Sequence, residues 1–217
     1  MIRTAHRFIV VEGPIGVGKT TLARRLTESL GGRLVPEQAE ENPFLERFYR
    51  NPREAALSTQ LHFLLQRAEQ MRNLGQSDLF ERLRVADFLL EKDRLFAEVN
   101  LDADELKLYR QLYDHLTIEA PTPDLVIYLQ APVHVLQDRI DRRGIDYERE
   151  MGAGYLQSLC DAYTRLFHAY TDAPLLIVNA AEINLADREA DYVSLLEQIQ
   201  RIDSGRHFFN PAPLALA

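Results

Sequence analysis

Short apolar runs recur along the chain, and longer stretches of helical periodicity separate them. Five of these runs, at residues 8–11, 33–36, 84–86, 125–129 and 175–178, predict strands. Most are apolar almost without interruption rather than alternating, the pattern of a parallel sheet covered on both faces. The first helix is predicted from Lys19 to about Leu30, stopped by Gly31-Gly32. Residues 42–75 predict two helices broken at Asn51-Pro52, where proline suits the first turn of the second. Residues 88 to about 119 predict two more, with Asp102 as a cap and Asp104 and Glu105 in the acidic first turn that follows. Further helices are expected over 132–143, 155–170 and about 190–202. Strands and helices in alternation imply an α/β fold, a doubly wound five-stranded parallel sheet.

Composition narrows the picture. With 217 residues, 46% hydrophobic and 27% charged, the chain suits one domain with lid-like insertions. We expect a single domain over 1–203, its lid at about 139–153, and a C-terminal tail over 204–217 that lacks periodicity. The net charge of −8 argues against a nucleic-acid polymer as partner and leaves small phosphorylated ligands open. The single cysteine, Cys160, excludes an internal disulfide and a cysteine zinc cluster, and the histidines lack metal-ligand spacing. No apolar run approaches the ~20 residues that span a bilayer. The first strand follows the N-terminus without signal-peptide architecture, so a cytoplasmic protein is expected.

The segment with the most specific chemistry is Gly13-Pro14-Ile15-Gly16-Val17-Gly18-Lys19-Thr20, which fits G-x-x-x-x-G-K-[ST] between a strand and a helix. Glycines let successive backbone N–H groups point inward at phosphate oxygens, and the helix N-terminus adds positive potential. Lys19 is placed to reach the β- and γ-phosphates of ATP, and Thr20 to offer its hydroxyl to Mg²⁺, with Thr21 beside it. This P-loop leaves the acceptor open. No guanine-reading N-K-x-D segment is present, and the chain is short for a motor ATPase, which leaves a small-molecule kinase.

Several ordered landmarks then carry a resemblance. Pro36-Glu37 follows the second strand. Phe44-Leu45-Glu46-Arg47-Phe48-Tyr49-Arg50-Asn51-Pro52 and Ser58-Thr59-Gln60-Leu61 come next, and Arg139-Ile140-Asp141-Arg142-Arg143-Gly144 precedes Tyr147-Glu148-Arg149. From the P-loop to about Tyr155, roughly two-thirds of the chain, this order resembles the deoxynucleoside kinases, above all the bacterial purine enzymes. The resemblance implies ATP and Mg²⁺ as cofactors, a deoxynucleoside as acceptor, transfer to its 5′-hydroxyl, and a homodimer. It implies Glu37 as catalytic base, Tyr49 and Glu148 at the sugar 3′-hydroxyl, Gln60 on the base, and Arg139 and Arg143 as lid cations over ATP. Two departures stand out. Gln38 follows Glu37 where the family has proline, and Asp87 is followed by Phe88-Leu89 where the family has Arg-Ser.

Each role has a plainer alternative. Glu37 ends a strand at the carboxyl edge of the sheet, where ligands bind, but a capping or solvated carboxylate would look the same, and Glu40 and Glu41 crowd the loop. Asp87 suits magnesium and its waters, or a helix N-cap. Gln60 and Tyr49 suit substrate contact or simple packing. Phe44, Phe63, Phe88 and Phe96 suit a base platform or plain core. Arginines near a helix C-terminus are favourable for dipole reasons alone. Lys92, one helical turn past Phe88, is expected to replace the missing arginine at the transferring phosphate. The rival functions are a nucleoside monophosphate kinase, with Arg47, Arg50 and Arg67 holding an acceptor phosphate, and a regulatory module that binds ATP without transfer.

Overall fold

A computed structural model of the chain describes residues 4–75, 83–116, 120–183 and 188–210. Its centre is strand β1 (Phe8–Glu12), buried along its whole length. Helix α1 (Lys19–Leu30) follows and ends where Gly31 turns left-handed at φ 69°. Then come β2 (Arg33–Val35), a 3₁₀ turn at Ala39–Glu41, α2 (Leu45–Arg50) and α3 (Pro52–Gly75). The middle of the chain gives β3 (Arg84–Ala86), α4 (Lys92–Asn100), α5 (Ala103–His115) and β4 (Leu125–Gln130). Helix α6 (Val133–Arg143), a 3₁₀ turn at Asp146–Glu150, α7 (Ala153–Ala169), β5 (Leu175–Asn179), α8 (Glu189–Gln200) and β6 (Arg206–Phe209) complete it.

The strands form one sheet in the order β2-β3-β1-β4-β5-β6, and every neighbouring pair is parallel. The expected five strands are therefore six. The sixth lies in the segment expected to be a tail, where Arg206 pairs with Leu175 and Phe209 with Val178. Four residues at a sheet edge, with Phe208 71% exposed, carry too little apolar pattern to be recognised. At the opposite edge β2 is only partly buried, unlike the central strands.

Alternation along the strands sends side chains into two cores. Ile9, Val11, Leu125, Ile127 and Leu129 meet Leu22 and Leu26 of α1 and Leu195 and Ile199 of α8. Phe8, Val10, Val126 and Tyr128 face the other way, onto Tyr163 and Phe167 of α7 and Leu95 of α4. Leu22 and Leu26 are one turn apart and wholly buried; each such leucine contributes about 1.5–3 kcal/mol by leaving water. The cap expected before α5 is a reciprocal box: Asp102 accepts from the N–H groups of Asp104 and Glu105, and Glu105 accepts from that of Asp102. Helix α4 starts at Lys92, later than the pattern suggests, because residues 88–91 cross the carboxyl edge of the sheet as a turn. Among the described residues no helix is long and apolar enough to cross a membrane.

Candidate active site

The loop from Gly13 to Thr20 leaves β1 at the carboxyl edge of the sheet and runs into α1. Its glycines are sterically required. Gly13 has φ 150°, and a Cβ there would sit 2.3 Å from the Leu129 carbonyl oxygen; at Gly16, with φ 82°, it would sit 2.8 Å from that of Leu136. The Lys19 ammonium bends back over the loop and donates to the carbonyls of Gly13 at 2.8 Å and Pro14 at 3.2 Å. Burial, with Lys92 adding to it, lowers its pKa to about 8. Thr20 Oγ1 donates to Asp87 Oδ2 at 2.5 Å, which joins the loop to the end of β3. A cleft of about 860 Å³ opens here, lined by residues 16–21 of the loop and α1, Arg139, Arg142 and Arg143 of α6, residues 180–183 and Arg188.

On the other side of Asp87 the site changes character. Asp87 Oδ1 accepts from the backbone N–H of Glu37 at 2.8 Å, which places the end of β2 beside the end of β3. The Glu37 carboxylate lies between two cations, Arg67 Nη2 at 2.5 Å from Oε1 and Lys92 Nζ at 2.7 Å from Oε2. Burial alone would raise its pKa, but Lys92 and Arg67, with Lys19 beyond them, hold it well below the usual carboxylate range. Arg67 turns its other nitrogen to Asp93, which is wholly buried and also accepts from Tyr109 Oη and from Gln60 Nε2 at 3.1 Å. Gln60 Nε2 reaches the Asp93 carbonyl as well, at 2.9 Å. Burial pushes the Asp93 carboxyl up in spite of these donors.

The inner face of α3 is polar and incompletely satisfied. Thr59 Oγ1, His62 Nδ1, Gln66 Oε1, Arg67 Nε and Gln70 Oε1 are buried without a hydrogen-bond partner among the described residues. Buried polar atoms in native proteins are nearly always paired, so such a row marks a surface that meets water or ligand. A phosphate loop, an ionised carboxylate one residue contact away and a polar groove beyond it make a site for moving a phosphoryl group to a small acceptor.

Comparison with known proteins agrees with this chemistry. The deoxynucleoside kinase family model matches residues 9–202. The chain is similar to the deoxyguanosine kinase of Bacillus subtilis (strain 168), 31% identical over 200 residues that cover 90% of this chain and 97% of that one. This chain belongs to the deoxynucleoside kinase family. The deoxyadenosine/deoxycytidine kinase of the same organism is 25% identical over 207 residues, covering 91% and 93%. The solved structure of deoxyadenosine kinase from M. mycoides shares the fold with a TM-score of 0.78, at 24% identity, over 88% of this chain and 98% of that one. The protein is thus an ATP-dependent phosphotransferase of the deoxynucleoside kinase type.

Most residues expected at the site of such a kinase converge. Lys19, Thr20, Thr21 and Arg143 line the cleft at the phosphate loop, as do Gly16, Val17 and Gly18. Ile15 packs against the lid side, beside Val133 and Tyr49, and Pro14 holds Lys19 through its carbonyl. Arg143 pairs with Glu148 across Gly144, which is left-handed at φ 73°. Tyr49 stacks on Tyr147, ring centroids 5.6 Å apart, so α2 meets the turn at Asp146–Glu150. Burial, with Tyr155 and Glu148 nearby, raises the Tyr49 hydroxyl well above its ordinary pKa.

Four of the expected residues make contacts that the sequence did not suggest. Arg139 lines the cleft, and its guanidinium donates to the carbonyls of Val17 at 3.1 Å, Ala180 at 2.7 Å and Ile183 at 3.4 Å. It braces the loop against the segment after β5. Gln60 is 2% exposed and donates its amide N–H₂ to the carbonyl and carboxylate of Asp93. Lys92 contacts the carboxylate of Glu37 rather than the phosphate loop. Phe88 is wholly buried in the core beneath the sheet, which rules it out as a base platform.

Two residues of this network, Glu12 and Asp93, escaped the sequence, and Arg67 was expected only as a grip on an acceptor phosphate. Glu12 is wholly buried at the end of β1, where it accepts from the N–H groups of Gly13 at 2.8 Å and Leu89 at 2.7 Å and from Tyr163 Oη at 2.9 Å. It ties the phosphate loop to the turn after β3 and to α7. Arg67 is seven residues from Gln60, two turns along one face of α3, and that spacing was a usable signal. Asp93 had none beyond its place beside Lys92.

Proposed function

We propose that the protein transfers the γ-phosphoryl group of ATP to the 5′-hydroxyl of a deoxynucleoside, with a purine favoured as the base. The observation that carries this is the chain of contacts Thr20–Asp87–Glu37–Arg67/Lys92, which ties the phosphate loop to one ionised carboxylate at the mouth of a polar groove. Lys19 and the loop N–H groups hold the triphosphate. Glu37 accepts the 5′-hydroxyl proton as that oxygen bonds to phosphorus and the bond to ADP breaks. Lys92 and Arg67, in contact with Glu37, keep its carboxylate ionised and in place. Arg143 closes from the lid, and closure keeps water from taking the phosphoryl group.

The acceptor lies along α3. Tyr49 and Glu148 meet its 3′-hydroxyl, and the Gln60–Arg67–Asp93 group, held by Tyr109, faces the base edge. The hydroxyl of Thr20 and the carboxylate of Asp87 are hard oxygen donors in contact, a pair that fits Mg²⁺, which needs only one or two protein oxygens when phosphates and water supply the rest. When bound there the ion neutralises charge on the β- and γ-phosphates. The exposed Leu65 on α3 and Leu108 and Leu112 on α5 suit a homodimer interface, and the acidic chain with one cysteine suits the cytoplasm. One domain with a lid at about 139–153 accounts for the arrangement.

A monophosphate acceptor fits less well. Arg67 is committed to Glu37 and Asp93, Arg50 pairs with Glu46, and Arg47 lies over the Phe44 ring, so the arginines that would grip its phosphate are engaged. The test is release of ADP from Mg-ATP with a panel of deoxynucleosides, ribonucleosides and monophosphates. Release with a deoxynucleoside is expected, greatest with purines. Release with monophosphates alone would replace this function with the rival kinase, and silence across the panel would leave an ATP-binding module.

A further inference from the structure

The carboxylate at the centre of the site is followed by the one non-glycine residue, among those described, with a positive φ. Gln38 has φ 53° and ψ 43°, in the left-handed region where a Cβ crowds the backbone. Such a conformation persists only where the surroundings over-determine it, and it concentrates at functional sites. Gln38 is held at three polar atoms at 2.6–3.2 Å: its Nε2 donates to Glu41 Oε1, its carbonyl accepts from Gln66 Nε2, and its Oε1 accepts from Gln70 Nε2. Gln70 Nε2 also reaches the Pro36 carbonyl at 3.1 Å, so it spans the residue before Glu37 and the residue after.

Gln66 and Gln70 are one turn apart on α3. Each aims its amide nitrogen at the loop and leaves its own Oε1 buried without a partner among the described residues. Reversing either amide would set a carbonyl against carbonyl or carboxylate oxygens, so the orientation is dictated by the acceptors in front of it. The clamp therefore leaves two acceptors unsatisfied to hold one strained residue. The result is local: with Gln38 left-handed, the chain turns at once into the 3₁₀ turn at Ala39–Glu41, while the Glu37 N–H stays on Asp87 and its carboxylate between Lys92 and Arg67.

We infer that Gln38 is a positioning residue, whose left-handed kink, clamped by Gln66 and Gln70, aims the Glu37 carboxylate at the acceptor hydroxyl. This rests on the proposed function. It also explains the departure from the family pattern. Proline holds φ near −65° and lacks an N–H, so it has no access to the φ of 53° seen here. This chain replaces a rigid ring with a residue held by side chains from α3.

The experiment compares Gln38→Gly, Gln38→Ala, Gln38→Pro and Gln70→Met in the full chain, reading kcat, KM for ATP and thermal stability. Glycine enters the left-handed region without strain but loses the side-chain clamp, so Gln38→Gly is expected to lose far less kcat than Gln38→Pro. Gln38→Pro is expected to lose about 10²-fold in kcat with KM for ATP nearly unchanged, because about an ångström of misplacement costs that much. Gln38→Ala should be less stable than Gln38→Gly, which tests the kink without reference to activity. If Gln38→Pro folds and keeps wild-type kcat, the inference is wrong. Should it fail to fold, Gln70→Met decides: a roughly tenfold fall in kcat with unchanged ATP binding supports the clamp, and an unchanged kcat overturns it. A wild type silent with every acceptor would instead sink the kinase function, and the positioning role with it; an active wild type with an active proline variant sinks the positioning role alone.

Discussion

The two halves of the site are built on different principles. The donor side is one contiguous stretch, Gly13 to Thr20, in which the backbone supplies most of the binding groups and glycines supply the shape. The acceptor side gathers Glu37, Gln60, Arg67, Asp87, Lys92 and Asp93 from the ends of two strands and from two helices, and almost everything it offers is a side chain. A triphosphate is the same in every substrate pair, so a local peptide design serves it. A nucleoside differs in base and sugar, and its recognition needs groups that can vary independently. The cost falls on electrostatics. Backbone N–H groups carry no net charge, whereas Asp93 is a buried and Glu37 a partly buried carboxylate, and both hold only while Arg67 and Lys92 stand against them.

The sharpest way to break the donor half is Lys19→Ala. Removal of one preorganised electrostatic contact lowers turnover by about 10²–10³-fold, and this one also holds the triphosphate, so kcat/KM is expected to fall at the upper end or beyond, with weakened ATP binding. Glu37→Gln attacks the other half. Loss of a general base is expected to lower kcat by about 10²-fold or more, with ATP affinity nearly preserved. A variant that lost ATP affinity at unchanged kcat would show that Glu37 belongs to the donor side.

The same contrast decides what the sequence revealed. The P-loop was legible because its signal is local: the spacing of three glycines, a lysine and a threonine between a strand and a helix is the mechanism itself. The central strands were legible because burial on both faces leaves an uninterrupted apolar run. Strand β6 was not, since an edge strand of four residues has one half-buried face and no run. The pairing of Arg67 with Asp93 was not legible because pattern analysis places charged residues on solvated faces, and nothing local says that two charges 26 residues apart neutralise each other in the interior. The contacts of Arg139 were not legible for a related reason: its helical position shows nearness to the phosphate loop but not that it braces Val17 against Ala180.

Arg67→Met sharpens the comparison on stability. The side chain is 3% exposed and holds both Glu37 and Asp93, so its loss strands buried negative charge. Breaking one partner of a buried pair costs about 3–5 kcal/mol, which chemical denaturation will read as a lower midpoint at unchanged slope. KM for the deoxynucleoside should rise while ATP binding hardly moves. No donor-side substitution except at a loop glycine is expected to destabilise the fold as much, because the loop holds its ligand with groups that the fold itself does not spend.

The smallest expected effect is on pH, and it joins the halves. In the ligand-free protein burial, with Lys92 adding to it, lowers the Lys19 pKa from 10.5 to about 8. Bound phosphates favour the ammonium, so ATP binding above that pH takes up a proton, and affinity should be flat near pH 7 and fall above pH 8. The fall is at most about tenfold for each step of one in pH, because a single proton is taken up and a tenfold dilution of protons costs about 1.4 kcal/mol. Stability moves the other way. The folded-state value lies below the unfolded one, so the unfolded chain binds more protons between them, and the Lys19 contribution to stability rises with pH across 8 to 10.5. Titration of ATP affinity by calorimetry checks the first effect, with Lys19→Arg as the control that stays charged and should lose the slope. Lys92→Met removes the second cause of the depression, so the break in the wild-type curve should move to higher pH. If the break stays near pH 8 in that variant, the two lysines do not sense each other, and the donor and acceptor halves are electrostatically independent.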